Sequence, residues 1–200
     1  MHSIDASLAA CTAFDGHRRI ASGPLPAVAL AVRRAMQSNA AGPVLIYSDA
    51  TGQLVDVDLR GSDDDIAARF APAELPPGDT APGVRGRGRP RLGVVSREVT
   101  LLPRHWEWLA AQPGGASVAL RKLVEDARRA NEDKDRQRQR QEAAYRFMAS
   151  IAGDLPGFEE AARALFASDP ERFGRCVAAW PQDVRAHATQ LAFPPAATLG

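Results

Sequence analysis

Residues 71–93 are the stretch that most limits how this chain can fold. Residues 71–84 carry four prolines and two glycines, and residues 85–93 read Arg-Gly-Arg-Gly-Arg-Pro-Arg-Leu-Gly. Proline removes a backbone donor, glycine is costly to order, and guanidinium groups stay charged at physiological pH. Such a segment cannot enter a hydrophobic core, so it predicts a semi-extended linker followed by a basic arm. Folding must happen on either side of it. The expected organisation is therefore a small α+β domain over 1–70, the linker and arm over 71–93, a strand-helix-helix segment over 94–130, and a long helix with a C-terminal helical cluster over 131–200.

In the first segment, residues 11–14, Asp15-Gly16 and residues 17–21 read as strand, turn and strand, because Asp-Gly between such runs favours a tight hairpin. Pro26 opens a helix to residue 37, with Val28, Ala31, Val32 and Ala35 on one face and Arg33 and Arg34 outward. Residues 44–47 form a buried-strand run. Residues 53–59 alternate, so Val55, Val57 and Leu59 should face inward. The expected order is β-β-α-β-β, a four-stranded antiparallel sheet with one helix on its face. Ser62 should cap a short helix reaching Phe70. Asp63, Asp64 and Asp65 fall in its first turn, where acids suit the helix dipole better than they argue for a metal.

Beyond the linker, charge is concentrated. Arg85, Arg87, Arg89, Arg91, Arg97 and Arg104 face only Glu98, a local net charge of +5 in a chain whose net charge is +1. Arginine forks onto phosphate oxygens, and the narrow minor groove of A·T tracts attracts inserted arginine. Residues 97–102 form a strand pattern, though neither phase of it presents a wholly polar face. Pro103 opens a helix that ends by Gln112-Pro113. After Gly114-Gly115, Ser117 is the expected N-cap of the next helix, whose apolar stripe is Leu120, Leu123, Val124 and Ala127. Trp106 and Trp108 are expected in a core.

That second helix should continue to residue 151, about 50 Å at 1.5 Å per residue. Residues 131–142 contain no large apolar side chain, so this part should be solvated. Apolar residues return at Tyr145, Phe147, Met148 and Ile151. Residues 153–157 break the chain. Three short helices should follow, the first with Ala161, Ala162, Leu165 and Phe166 inward, the last with Val184, His187 and Leu191 inward.

The strand, helix, turn and helix of residues 97–130 resemble the ribbon-helix-helix family of DNA-binding proteins. That resemblance implies that strands of two chains pair in the major groove while the helices build a dimer core. Gly88-Arg89-Pro90, flanked by Arg85, Arg87 and Arg91, resembles an AT-hook, which implies contact with the minor groove of A·T-rich DNA. Almost the whole chain is similar to an uncharacterised bacterial family, domain of unknown function 2239. The residues that carry this are 12–16, 56–61, 88–94, 97–103, 106–109 and 153–158. This second resemblance implies a common architecture and no reaction.

No catalytic pattern emerges. His2, His17, His105 and His187 lie far apart, and Cys11 and Cys176 are too few for a disulfide framework. No cofactor motif, metal-ligand spacing, signal peptide or apolar run of membrane-spanning length is present. The expectation is a non-enzymatic, cytoplasmic, homodimeric DNA-binding protein, a transcriptional regulator. Arg85, Arg87, Arg89, Arg91, Arg97, Thr100 and Arg104 are its expected DNA contacts. The competing expectation is a non-catalytic interaction scaffold whose arm is a solvated tether.

Overall fold

A computed structural model describes residues 10–38, 41–70, 95 and 97–195. Its elements run β1 (Ala10–Asp15), β2 (Arg18–Pro24), α1 (Leu25–Gln37), β3 (Val44–Ser48), α2 (Asp63–Arg69), α3 (Pro103–Ala110), α4 (Gly115–Ile151), α5 (Phe158–Phe166), α6 (Pro170–Cys176) and α7 (Gln182–Ala192). They divide into two compact units. The first comprises residues 1–72 and 134–200, and the second residues 73–133. Helix α4 runs through both.

Unit 1 begins with the expected hairpin. Gly16 takes φ +55°, a conformation glycine adopts without steric cost, and Asp15 pairs with Arg18 across the turn. Strand β1 also pairs antiparallel with β3, so the order is β2-β1-β3. The sheet is three-stranded, not four-stranded. Residues 53–59 begin as a fourth strand: Ser48 N–H donates to Gln53 O and Val55 N–H donates to Ile46 O. The ladder then stops at a single bridge, Tyr47 to Leu54. Val55, Val57 and Leu59 do turn inward, packing beside Val28, Val32 and Ile46. Side-chain burial under α1 holds this segment in place of a backbone ladder.

Ser62 caps α2 as expected. Its hydroxyl accepts from Asp65 N–H, and the Asp65 carboxylate accepts from Ser62 N–H at 2.7 Å. Two orphan donors are thereby satisfied reciprocally. Asp63 pairs with Arg33 and Arg34 of α1, so two of the three acids have structural partners.

The main core of unit 1 joins the two ends of the chain. Phe14 of β1 and Tyr47 of β3 pack with Phe147 of α4, with ring centroids 5.3 and 5.0 Å from it. Leu165, Phe173, Val177, Trp180 and Val184 complete the same cluster. The sheet and the C-terminal helices thus share one core. Polar ties reinforce it. Tyr47 Oη lies 3.0 Å from Ser150 Oγ, Arg19 N–H donates to Asp183 at 2.9 Å, and Trp180 Nε1 donates to Pro156 O at 2.8 Å. Ala161, Ala162 and Leu165 are buried as expected. Phe166 is not: it is exposed, and its ring stacks against Tyr145 at 5.5 Å.

Unit 2 contains α3 and the first part of α4. Among the described residues, 97–102 carry no strand. A lone strand has no hydrogen-bonding neighbour, so a ribbon that needs a second chain cannot form within one. Helix α4 begins at Gly115, two residues before the expected cap, because Gly114 and Gly115 supply the turn with φ +85° and +73°.

Candidate nucleic-acid interface

Arg85, Arg87, Arg89 and Arg91 lie outside the described residues. Arg97, Thr100 and Arg104 are described, and all three are exposed. Arg104 stands in the first turn of α3, behind the Pro103 that starts the helix. Among the described residues, no ion pair holds Arg97 or Arg104.

The basic side chains of α4 differ. Glu125 binds both Arg128 and Arg129, at 2.8 and 3.1 Å. Arg128 above all, then Arg129, holds the Glu125 carboxyl down to about 2. Arg138 pairs with Asp135, and Arg146 with Glu142. These pairs follow the three- and four-residue spacing at which helix side chains meet, and they neutralise positive charge along the helix. Arg121 and Arg140 of α4, like Arg97 and Arg104, carry no ion pair among the described residues.

Beside those arginines lies apolar surface. Leu101, His105, Trp108, Leu109, Leu120 and Leu123 line a cleft of about 270 Å³ between α3 and α4. Trp108 and Leu123 also border a neighbouring cleft of about 190 Å³. Trp108 is 53% exposed, Leu123 46% and Val124 65%. Trp106 is exposed as well, so neither tryptophan sits in a core of its own chain. In unit 2 only Leu109 and Ala119 are buried hydrophobics among the described residues. The apolar stripe of α4 was legible in the sequence, but nothing there said that one chain leaves it uncovered.

Unit 1 has a separate groove of about 380 Å³ between α1, β3 and residues 54–59, lined by apolar side chains and Asp56. Among the described residues, no group of three or more His, Cys, Asp or Glu side chains is placed to hold a metal ion. No helix is long and apolar enough to cross a membrane among those residues.

No curated protein and no solved structure matches the chain. A family model described as an uncharacterised protein conserved in bacteria (DUF2239) matches residues 10–192. With that match covering most of its length, the chain belongs to this bacterial family.

Proposed function

We propose that this protein is a homodimeric DNA-binding protein, a bacterial transcriptional regulator, that grips the duplex through its arginine arm and the segment that follows it. One observation carries this: unit 2 leaves Trp108, Leu123 and Val124 exposed on the two helices directly after a run of arginines. A unit that buries so few apolar side chains is too poor in core to be stable alone. A second copy supplies the missing half. Pairing of residues 97–102 across the two chains would give each the neighbour it lacks, as in ribbon-helix-helix proteins.

In this arrangement the dimer holds two arms side by side. Arg85, Arg87, Arg89 and Arg91 contact phosphates and an A·T-rich minor groove. Arg97 and Arg104 add phosphate contacts from the folded platform, and Thr100 reaches the duplex from the ribbon. The exposed guanidinium groups of Arg97 and Arg104, without an ion pair among the described residues, suit this role better than Arg128, Arg129, Arg138 and Arg146 of α4, each held by a carboxylate.

The test is affinity for an A·T-rich duplex against salt concentration. Six arginine-phosphate contacts per chain predict that log K falls with log salt at a slope of up to about −5 for each chain engaged. A gel shift with the Arg87→Ala, Arg89→Ala variant should show weakened binding to every duplex tried. A slope near zero, with a monomeric chain in solution, would replace this proposal with the non-catalytic scaffold.

A further inference from the structure

One polar pair in unit 1, the buried His187 and the half-buried Asp49, has no part in the proposed DNA contacts. His187 sits in the apolar stripe of α7 and is 1% exposed. Its ring is boxed by Phe147, whose centroid lies 4.7 Å away edge-on, and by Phe14 at 5.6 Å. Its Nε2 lies 3.6 Å from Asp49 Oδ1, in the turn after β3, too far for a hydrogen bond. Asp49 Oδ1 and both ring nitrogens are buried without a hydrogen-bond partner. Buried polar atoms are nearly always satisfied, so three orphaned atoms on these two side chains mark a place where the fold carries unspent polar capacity.

Charged and titratable groups reach this seam from several elements. β2 contributes Arg19, whose positive charge bears on both His187 and Asp49. β1 contributes Cys11, which feels the charge of Asp49, and Thr12, whose hydroxyl pairs with Ser22 Oγ at 2.9 Å. α4 presents Phe147, which carries no charge. α7 itself contributes Asp183, which accepts from the Arg19 backbone. The ring is therefore held in an apolar box with a cation nearby and an anion just beyond hydrogen-bonding reach.

We propose that His187 and Asp49 form a proton-controlled latch, closed while the imidazole is neutral and opened when a proton on the ring drives α7 away from the sheet. An imidazolium cannot be solvated between Phe14 and Phe147, whereas α7 swung outward gives it water. Burial, aided by Arg19, lowers the ring from the ordinary 6.5 to about 4 in the closed state. Burial also raises Asp49, which weakens the anion just where the cation would need it. Opening is thus favoured as pH falls from about 6.5 towards 4, the interval in which an exposed histidine is charged and a closed one is not. The same values imply that the open form is roughly 30-fold more populated at pH 5 than at pH 8.

Amide exchange of the full chain at pH 5 and pH 8, corrected for intrinsic rate, tests this directly. Residues 182–192 should lose protection by at least about tenfold at pH 5, while β1 loses far less. His187→Phe should abolish the difference by filling the box with a ring that cannot titrate. Should that variant not fold, the imidazole signal of the unaltered protein decides the matter by nuclear magnetic resonance. A ring that stays neutral well below pH 6 supports the latch. A ring that titrates near 6.5, or equal loss of protection in β1 and α7, overturns it.

Discussion

Gly52 rests against the backbone of Ala143 so closely that a Cβ added to Gly52 would lie 1.9 Å from the Ala143 carbonyl oxygen. Gly52 also takes φ +67°, which side-chain-bearing residues rarely adopt. The turn after β3 is thereby pressed onto α4, and Arg146 clamps it by donating to Thr51 O at 3.2 Å. Gly52→Ala should destabilise unit 1 by about 2–4 kcal/mol, since backbone strain and overpacking add. A urea unfolding midpoint that does not move would show that this contact is not needed.

Asp15 organises the other end of the sheet. Its carboxylate accepts from Gly42 N–H at 2.7 Å and Ala41 N–H at 3.2 Å, and pairs with Arg18. The backbone bonds from Gly42 and Ala41, then Arg18, hold its carboxyl below the usual range. A lowered folded value means that the folded protein binds fewer protons than the unfolded chain there. This contribution is present above the ordinary 3.8 and is lost as pH falls through the lower folded value. Asp15→Asn should therefore flatten the acid limb of the stability–pH profile while lowering stability at neutral pH. An acid limb as steep as that of the unaltered protein would count against it.

Trp180 is buried and donates from Nε1 to Pro156 O at 2.8 Å, pinning the loop before α5 to the segment between α6 and α7. Trp180→Phe keeps most of the apolar contact and removes one part-buried hydrogen bond, whose acceptor Pro156 is exposed. The expected cost is about 0.5–1.5 kcal/mol by chemical denaturation, the net worth of one hydrogen bond. Trp180→Leu should cost more, because it also opens a cavity.

The proposed two-chain platform makes a separate prediction. Leu123→Glu places a charge in the cleft shared by Trp108 and Leu120. If a second copy covers that cleft, the dimer should weaken by at least about 100-fold in analytical ultracentrifugation, the loss expected of a central interface residue. The unfolding of unit 1 should stay unchanged, as Leu123 belongs to unit 2. An unaltered sedimentation profile would remove the apolar cleft as the dimer contact.

The arginines separate by the same logic. Arg97→Ala with Arg104→Ala should lower the magnitude of the salt slope by roughly 2 per chain without changing sequence preference, because phosphate contacts carry no base information. Arg128→Ala should leave the slope unaltered, its charge being already engaged by Glu125. A variant pair that shifts preference between duplexes while keeping the slope would place those arginines on bases.

Much of the local structure was legible before any coordinates. Asp15-Gly16 announced the hairpin, Ser62 the capped helix, and Gly153 to Gly157 the break after α4. These features depend on neighbours a few residues apart, and the energies that decide them act over that range. The inward side of Val55, Val57 and Leu59 was legible for the same reason. Their backbone pairing was not, since a ladder needs a partner strand at the right distance and register.

The chain's own order of residues settled where the Asp15-Gly16 hairpin and the Ser62-capped helix lie, and that an arginine-rich run follows a proline-rich one. Only the tertiary structure decided that Phe14 and Tyr47 share a core with Phe147 and Val184, that His187 meets Asp49, and that Trp108 lies open. Hydrophobic burial is non-directional: an apolar stripe states that something must cover it, not which distant segment or second chain will. That choice depends on shape and packing summed over the whole fold, which no short run of residues contains.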